Sequence, residues 1–177
     1  MVETLEIRLG KAFHALMEQV DRPVMAGHWA DLAPGQAWVD RLLAVYALMP
    51  AEQLMVCQAV QAVMSNPRAR EVLLPAAHQD QLLIEVDCLD AEGRWLRPDR
   101  VLISKKAQSL TLIDFKWRVL PSEHQDYAQQ LLRYGQVLSQ AYPDCELKMI
   151  LIDAQAGVWL CQGGELVHCW SAGRPAL

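Results

Sequence analysis

Apolar residues recur three and four positions apart at the start of the chain, at Leu5, Leu9, Phe13, Leu16 and Val20. This spacing predicts a helix over residues 3–20 that Asp21-Arg22-Pro23 ends. The turn formers Gly27, Pro34 and Gly35 make residues 24–36 a loop. The helical period resumes at about 36–48 and 51–65, on either side of Pro50, and Ser65-Asn66-Pro67 closes the second helix. The period then falls to two, which predicts strands at about 70–77, 81–89, 95–104 and 109–116, with a turn at Ala91-Glu92-Gly93. Pro98 cannot donate to a ladder, so its strand is expected at an edge or with a bulge, and bulges often lie beside active sites. A helix at about 123–141 is expected to start on Ser122, with Gln125 completing a capping box. Strands follow at about 147–153, 158–162 and 165–169.

The order of helices, strand meander, helix and strands predicts an α/β protein with a central mixed β-sheet flanked by helices, not a doubly wound parallel fold. The chain of 177 residues fits one domain with a sizeable core. Residues 1–67 would form its mainly helical part and residues 68–170 its sheet core. There is no internal repeat, low-complexity segment or Gly/Ser linker. Hydrophobic residues make up 53% and charged residues 21%, as in ordinary globular proteins and unlike disordered or coiled-coil ones. No apolar run reaches the roughly 18 residues of a membrane span. Acids occupy the N-terminus where a signal peptide is basic, so a cytoplasmic protein with no membrane partner is expected. The five cysteines contain no C-x-x-C pair, so neither a zinc ribbon nor an iron–sulfur cluster is signalled. The thiols are expected to be reduced and mostly buried.

The net charge of −5 weighs against a free-standing nucleic-acid binder, but it is unevenly spread. Arg94, Arg97, Arg100, Lys105, Lys106, Lys116 and Arg118 cluster in one window whose only acids are Asp99 and Asp114. Such a window is either a solvated hairpin or a surface that attracts phosphate around two metal-binding acids.

Alternation along the strand at 109–116 puts Leu112, Asp114 and Lys116 on one face and Ile113 and Phe115 on the other. Asp99 can reach the first set from the neighbouring strand. Two carboxylates and a lysine can hold a divalent metal and activate a water, as phosphodiester hydrolysis requires. Taken singly, Asp114 and Lys116 also suit a wet edge, and Pro98-Asp99 suits a turn. On the first helix His14 follows Gly10 by one turn. Gly10 costs helix stability, so a strand or ligand is expected to need its missing side chain. His14 is either a hydrogen-bonded core histidine or a metal ligand. Gln130 and Tyr134 share a face of the late helix, with Tyr127 one turn earlier.

In order, Gly10-x-x-x-His14-x-x-x-Glu18, Arg97-Pro98-Asp99-Arg100, Ile113-Asp114-Phe115-Lys116 and Tyr127-x-x-Gln130-x-x-x-Tyr134 resemble the RecB-type nuclease domain of the PD-(D/E)XK superfamily over roughly residues 5–155. The resemblance implies a restriction-endonuclease-like core behind the N-terminal helices. It implies His14, Asp99, Asp114 and the Phe115 carbonyl as metal ligands, with Mg²⁺ or Mn²⁺ as cofactor. Asp99, Asp114 and Lys116 would be catalytic, while Gln130, Tyr134, Tyr127 and Arg100 would support the site or contact DNA. The implied activity is a metal-dependent deoxyribonuclease, an exonuclease rather than an endonuclease, acting in DNA repair and recombination. The implied partners are DNA and a helicase domain or subunit. No G-x-x-x-x-G-K-[ST] phosphate loop occurs, so no motor is expected in this stretch. The alternative is a catalytically inactive domain that holds DNA or another protein. Completeness of the motif set favours the active form. The sequence departs from the family pattern at Arg97-Pro98, where Gly-x-Ile is common. It departs again at Trp117, where Thr is common and a bulky ring is expected beside the lysine.

Overall fold

The computed structural model describes residues 3–21, 29–74 and 81–170. Helix α1 (Leu5–Met17) starts on Thr4, whose hydroxyl accepts from the Ile7 N–H at 3.4 Å. It buries Leu9, Ala12, Phe13, Leu16 and Met17, with Val20 buried in the turn beyond, while Leu5 is exposed. The helix thus stops a turn earlier than expected. Of the expected loop at 24–36, residues 24–28 lie outside the described residues, and Trp29–Asp31 form a 3₁₀ turn.

Helix α2 (Ala37–Leu43) continues as a 3₁₀ turn and ends at Ala47, which is left-handed with φ 49°. Helix α3 (Pro50–Ser65) begins on Pro50 itself, because a fixed φ and a missing N–H suit the first helical position.

The strand expected at 70–77 is corrected. Residues Pro67–Leu73 form helix α4, and residues 75–77 lie outside the described residues. Asn66 accepts from the N–H groups of Arg68 and Ala69, so Asn66-Pro67 starts this helix as well as ending the one before.

Two further expected strands are split. Strand β1 (Gln81–Ile84) breaks at Glu85, which has φ 49°, before β2 (Cys88–Leu89). Strand β3 (Trp95–Leu96) pairs with β2 as a separate hairpin. Pro98 and Asp99 then interrupt the ladder before β4 (Arg100–Ser104).

Strand β5 (Ser109–Lys116) follows as expected. Next come helix α5 (His124–Ala141) and strands β6 (Glu146–Asp153), β7 (Val158–Gln162) and β8 (Glu165–Trp170). Ser122 does not cap α5. A 3₁₀ turn at Pro121–Glu123 runs into the helix, and it is Glu123 that accepts from the Leu120 N–H at 3.2 Å.

The strands β1-β4-β5-β6-β7-β8 form one mixed sheet in which only β5 and β6 run parallel. Helix α5 is the crossover that parallel pairing demands. Alternation gives the sheet two apolar faces. Ile113, Phe115, Ile150 and Ile152 pack under α1 to α4. Val101, Leu110, Leu112 and Leu151 pack under α5, which buries Leu131, Tyr134 and Leu138 against them. Asp153, at the end of β6, is buried. Its carboxylate accepts from the N–H groups of Gln155 and Gly157 and from Trp159 Nε1, each at 2.9 Å, so it clasps the β6–β7 turn. Cys57 and Cys161 are buried, Cys88 and Cys145 half-buried and Cys169 exposed, so fewer thiols are buried than expected. Among the described residues no single helix is long and apolar enough to cross a membrane.

Candidate active site

The register Arg100↔Ile113 brings Asp99 opposite Asp114 at the next position. Pro98 has taken the chain out of the ladder there, and the Asp99 side chain replaces the missing backbone partner. Its Oδ2 accepts from the Phe115 N–H at 2.7 Å. Its Oδ1 lies 3.4 Å from His14 Nδ1 on α1. The His14 ring stands edge-on to Phe115, with centroids 6.0 Å apart. Elements α1, β4 and β5 therefore meet through Asp99.

Asp114 is 2% exposed, with Oδ2 2.5 Å from Lys116 Nζ. The contact is a close ion pair in which the Lys116 ammonium faces this buried oxygen. Burial first, then the Asp99 charge, push the Asp114 carboxyl up to about 6 against the opposing pull of Lys116 and His14. Burial alone would lower the His14 value. The hydrogen bond and charge of Asp99, with Asp114 behind, outweigh that and raise it.

Helix α5 covers the same face. Lys116 Nζ lies 5.1 Å from the centre of the Tyr127 ring. Burial and the Glu123 carboxylate push the Tyr127 hydroxyl up to about 12. Gln130 Nε2 donates to the Tyr134 hydroxyl at 2.7 Å. Tyr134 is nearly buried, and after burial itself the Asp114 and Asp99 charges raise its hydroxyl. The structure thus brings together His14, Asp99, Asp114, Lys116 and Tyr127, with Phe115 joined through its amide N–H and the Gln130–Tyr134 pair facing the two carboxylates.

Arg100 does not join them. Only 1% exposed, it donates to the Leu73 carbonyl at 3.2 Å and pairs with Asp21 at 3.1 Å, bracing the sheet against α4 and the end of α1. Its partners lie toward the helical layer, not among the carboxylates of the site.

Of the two readings of the basic window, the contacts favour the solvated hairpin with locally paired charges. Arg94 pairs with Asp90 and Glu92, Arg97 with Glu85 and Asp87, and Arg118 with Glu6. Lys105 and Lys106 sit in the β4–β5 turn, at the opposite end of β5 from Asp114. Trp117 follows the strand alternation onto the other face. Its ring packs against Phe13 at 5.9 Å rather than crowding Lys116. A Cβ on Gly10 would meet the Trp117 Cβ at 3.6 Å, so the end of the strand does approach Gly10, at ordinary contact distance.

Two carboxylates escaped the sequence reading as site residues. Glu18 shares the helix face of Gly10 and His14, and its four-residue spacing was the available signal. Burial, then Glu85, push it up to about 7. Glu85 is brought in by its N–H, which donates to the Asp99 carbonyl at 3.0 Å, and no sequence pattern marks it. Both line a cavity of about 230 Å³ beside His14.

Among the described residues no three His, Cys, Asp or Glu side chains gather closely enough to hold an ion, and the two carboxylates are engaged by Lys116 and the Phe115 N–H. The donor types still suit a hard divalent cation: the buried Asp114 carboxylate, the Asp99 carboxylate beside it, and the His14 imidazole on that second acid.

The family model of the PD-(D/E)XK nuclease superfamily matches residues 2–163. The six-stranded mixed sheet flanked by helices is consistent with the fold of that superfamily. No curated protein sequence matches the chain.

Proposed function

Because the chain belongs to the PD-(D/E)XK nuclease superfamily, whose members are generally metal-dependent phosphodiester hydrolases acting on DNA, we propose that it is an active DNase of the RecB type. In this reading it is an exonuclease that works as part of, or beside, a helicase in DNA repair and recombination. The observation that carries this reading is the buried Asp114 carboxylate. It lies beside Asp99 at the end of β5, it is pushed up to about 6 by burial and by the Asp99 charge, and it pairs with Lys116.

Two carboxylates would each repel an anionic phosphodiester by about 4 kcal/mol at 4 Å with an effective dielectric near 20. Mg²⁺ or Mn²⁺ held by Asp99, Asp114, the Phe115 carbonyl and His14 would reverse that sign and lower the pKa of a bound water. Lys116 would then leave Asp114 to orient the attacking water and offset charge in the transition state, while the Tyr127 ring keeps its ammonium over the site. His14 holds Asp99, and the Gln130–Tyr134 pair supports the carboxylates from α5. Pairing of Arg94, Arg97 and Arg118 with local acids leaves little free positive charge beside the site. That supports a partner, such as a helicase subunit, supplying the DNA track.

The test is cleavage of single- and double-stranded DNA with Mg²⁺ or Mn²⁺. Asp114→Ala and Lys116→Ala are expected to abolish cleavage while circular dichroism shows an intact fold. Full activity in either folded variant would overturn the assignment. A native chain inert with both metals, alone and with a helicase, would favour the non-catalytic form.

A further inference from the structure

The β2–β3 hairpin stands immediately before Asp99 and has no role in the site described above. Strand alternation divides its side chains. Leu96 packs into the core under α5, whereas Trp95 turns outward and is 73% exposed. Its cross-strand partner Leu89 is 50% exposed, so the two form one apolar platform. The platform is braced. Arg94 holds Asp90 and Glu92, Arg97 holds Glu85 and Asp87, and the Glu85 N–H holds the Asp99 carbonyl. Trp95 is four residues from Asp99, which limits their separation to about 14 Å of extended chain.

We propose that Trp95 is a base-stacking residue that receives an unpaired base of single-stranded DNA beside the Asp99–Asp114 site. This rests on the nuclease reading and names the form of its substrate. Charge decides between the two forms of DNA. Around Trp95 the hairpin carries Glu85, Asp87, Asp90 and Glu92 against Arg94 and Arg97, an excess of acid. A duplex presents its phosphates to any approaching surface and hides its pairing edges, so an acidic hairpin repels it. An unpaired strand can turn its phosphates away and lay a base on the indole. Stacking on an aromatic face tolerates any base, which suits an enzyme that degrades DNA irrespective of sequence.

The experiment compares the native chain, Trp95→Ala and Trp95→Phe. Cleavage of single-stranded DNA and of blunt duplex is followed in Mg²⁺, and anisotropy of the same labelled DNAs is followed without metal. The indole is exposed, so both variants are expected to keep the native melting temperature. For Trp95→Ala, KM and Kd for single-stranded DNA are expected to rise about tenfold, with cleavage of duplex unchanged, and Trp95→Phe is expected to retain most of the affinity. Unchanged single-strand affinity in Trp95→Ala, or equal losses on both DNAs, overturns the proposal while leaving the nuclease reading intact. A change of mass in light scattering with DNA binding intact reassigns the hairpin to a protein contact and also overturns it. A native chain that neither binds nor cuts either DNA overturns the nuclease reading and this proposal with it.

Discussion

Lys116 is held between Asp114 Oδ2, 2.5 Å from its Nζ, and the face of the Tyr127 ring, whose centre is 5.1 Å away. The carboxylate fixes the charge and the ring fixes the direction. When a substrate or cation draws Asp114 away, the ring still favours an ammonium in that place. A partly desolvated cation–π contact is worth about 1–2 kcal/mol, so Tyr127→Leu is expected to lower kcat about tenfold with little change in KM or melting temperature. Tyr127→Phe keeps the ring and is expected to remain near the native rate. Equal rates in the Leu and Phe variants would show that the ring does not position the lysine.

Three groups make stability depend on pH in one direction. Asp114 is raised from 3.8 to about 6 and Glu18 from 4.5 to about 7, so the folded chain holds these protons more tightly than the unfolded one. Stability is lost as pH rises through that window and both ionise. His14 is raised above 6.5, so its contribution is present below that value and also lost as pH rises. The metal-free chain is therefore expected to melt at a lower temperature at about pH 8 than at about pH 5, and Asp114→Asn is expected to flatten the profile. Mg²⁺ needs the ionised carboxylates, so it is expected to restore more stability at the higher pH. Thermal melts with and without Mg²⁺ check both expectations. A metal-free melting temperature that rises with pH would contradict them.

Arg100 is expected to matter for folding alone. Removing it strands the Leu73 carbonyl and Asp21, and breaking such a buried pair costs about 3 kcal/mol. Urea unfolding of Arg100→Met should show that loss, while the folded fraction keeps native DNA affinity. Weaker DNA binding at native stability would instead return Arg100 to the nucleic-acid surface.

Where one local rule governed, the sequence was a good guide. Alternation along β5 placed Asp114 and Lys116 on one face, and helical spacing placed Tyr127, Gln130 and Tyr134 together. Errors arose where two rules competed. Asn66-Pro67 ends one helix and caps the next, so the first signal concealed the second. Pro98 on its own signals an edge or a bulge within one strand, but it divides two strands and leaves Asp99 to bond the Phe115 N–H. The basic window stayed open between two readings, because local sequence does not reveal which acids the fold returns to Arg94, Arg97, Arg100 and Arg118. Glu85 was illegible for the same reason. Its position depends on a backbone contact across the break after β1.

The meeting of α1, β4 and β5 at Asp99 also bears on the order of folding. His14 and Asp99 come from opposite halves of the chain, and β5 needs the whole α5 crossover before it can pair with β6. Contacts so distant in sequence close late, after local helices and hairpins have formed. A partly folded intermediate can therefore have its helices and the β4–β5 hairpin yet lack an assembled centre. The ability to cut DNA would be acquired last, when the helical layer docks on the finished sheet.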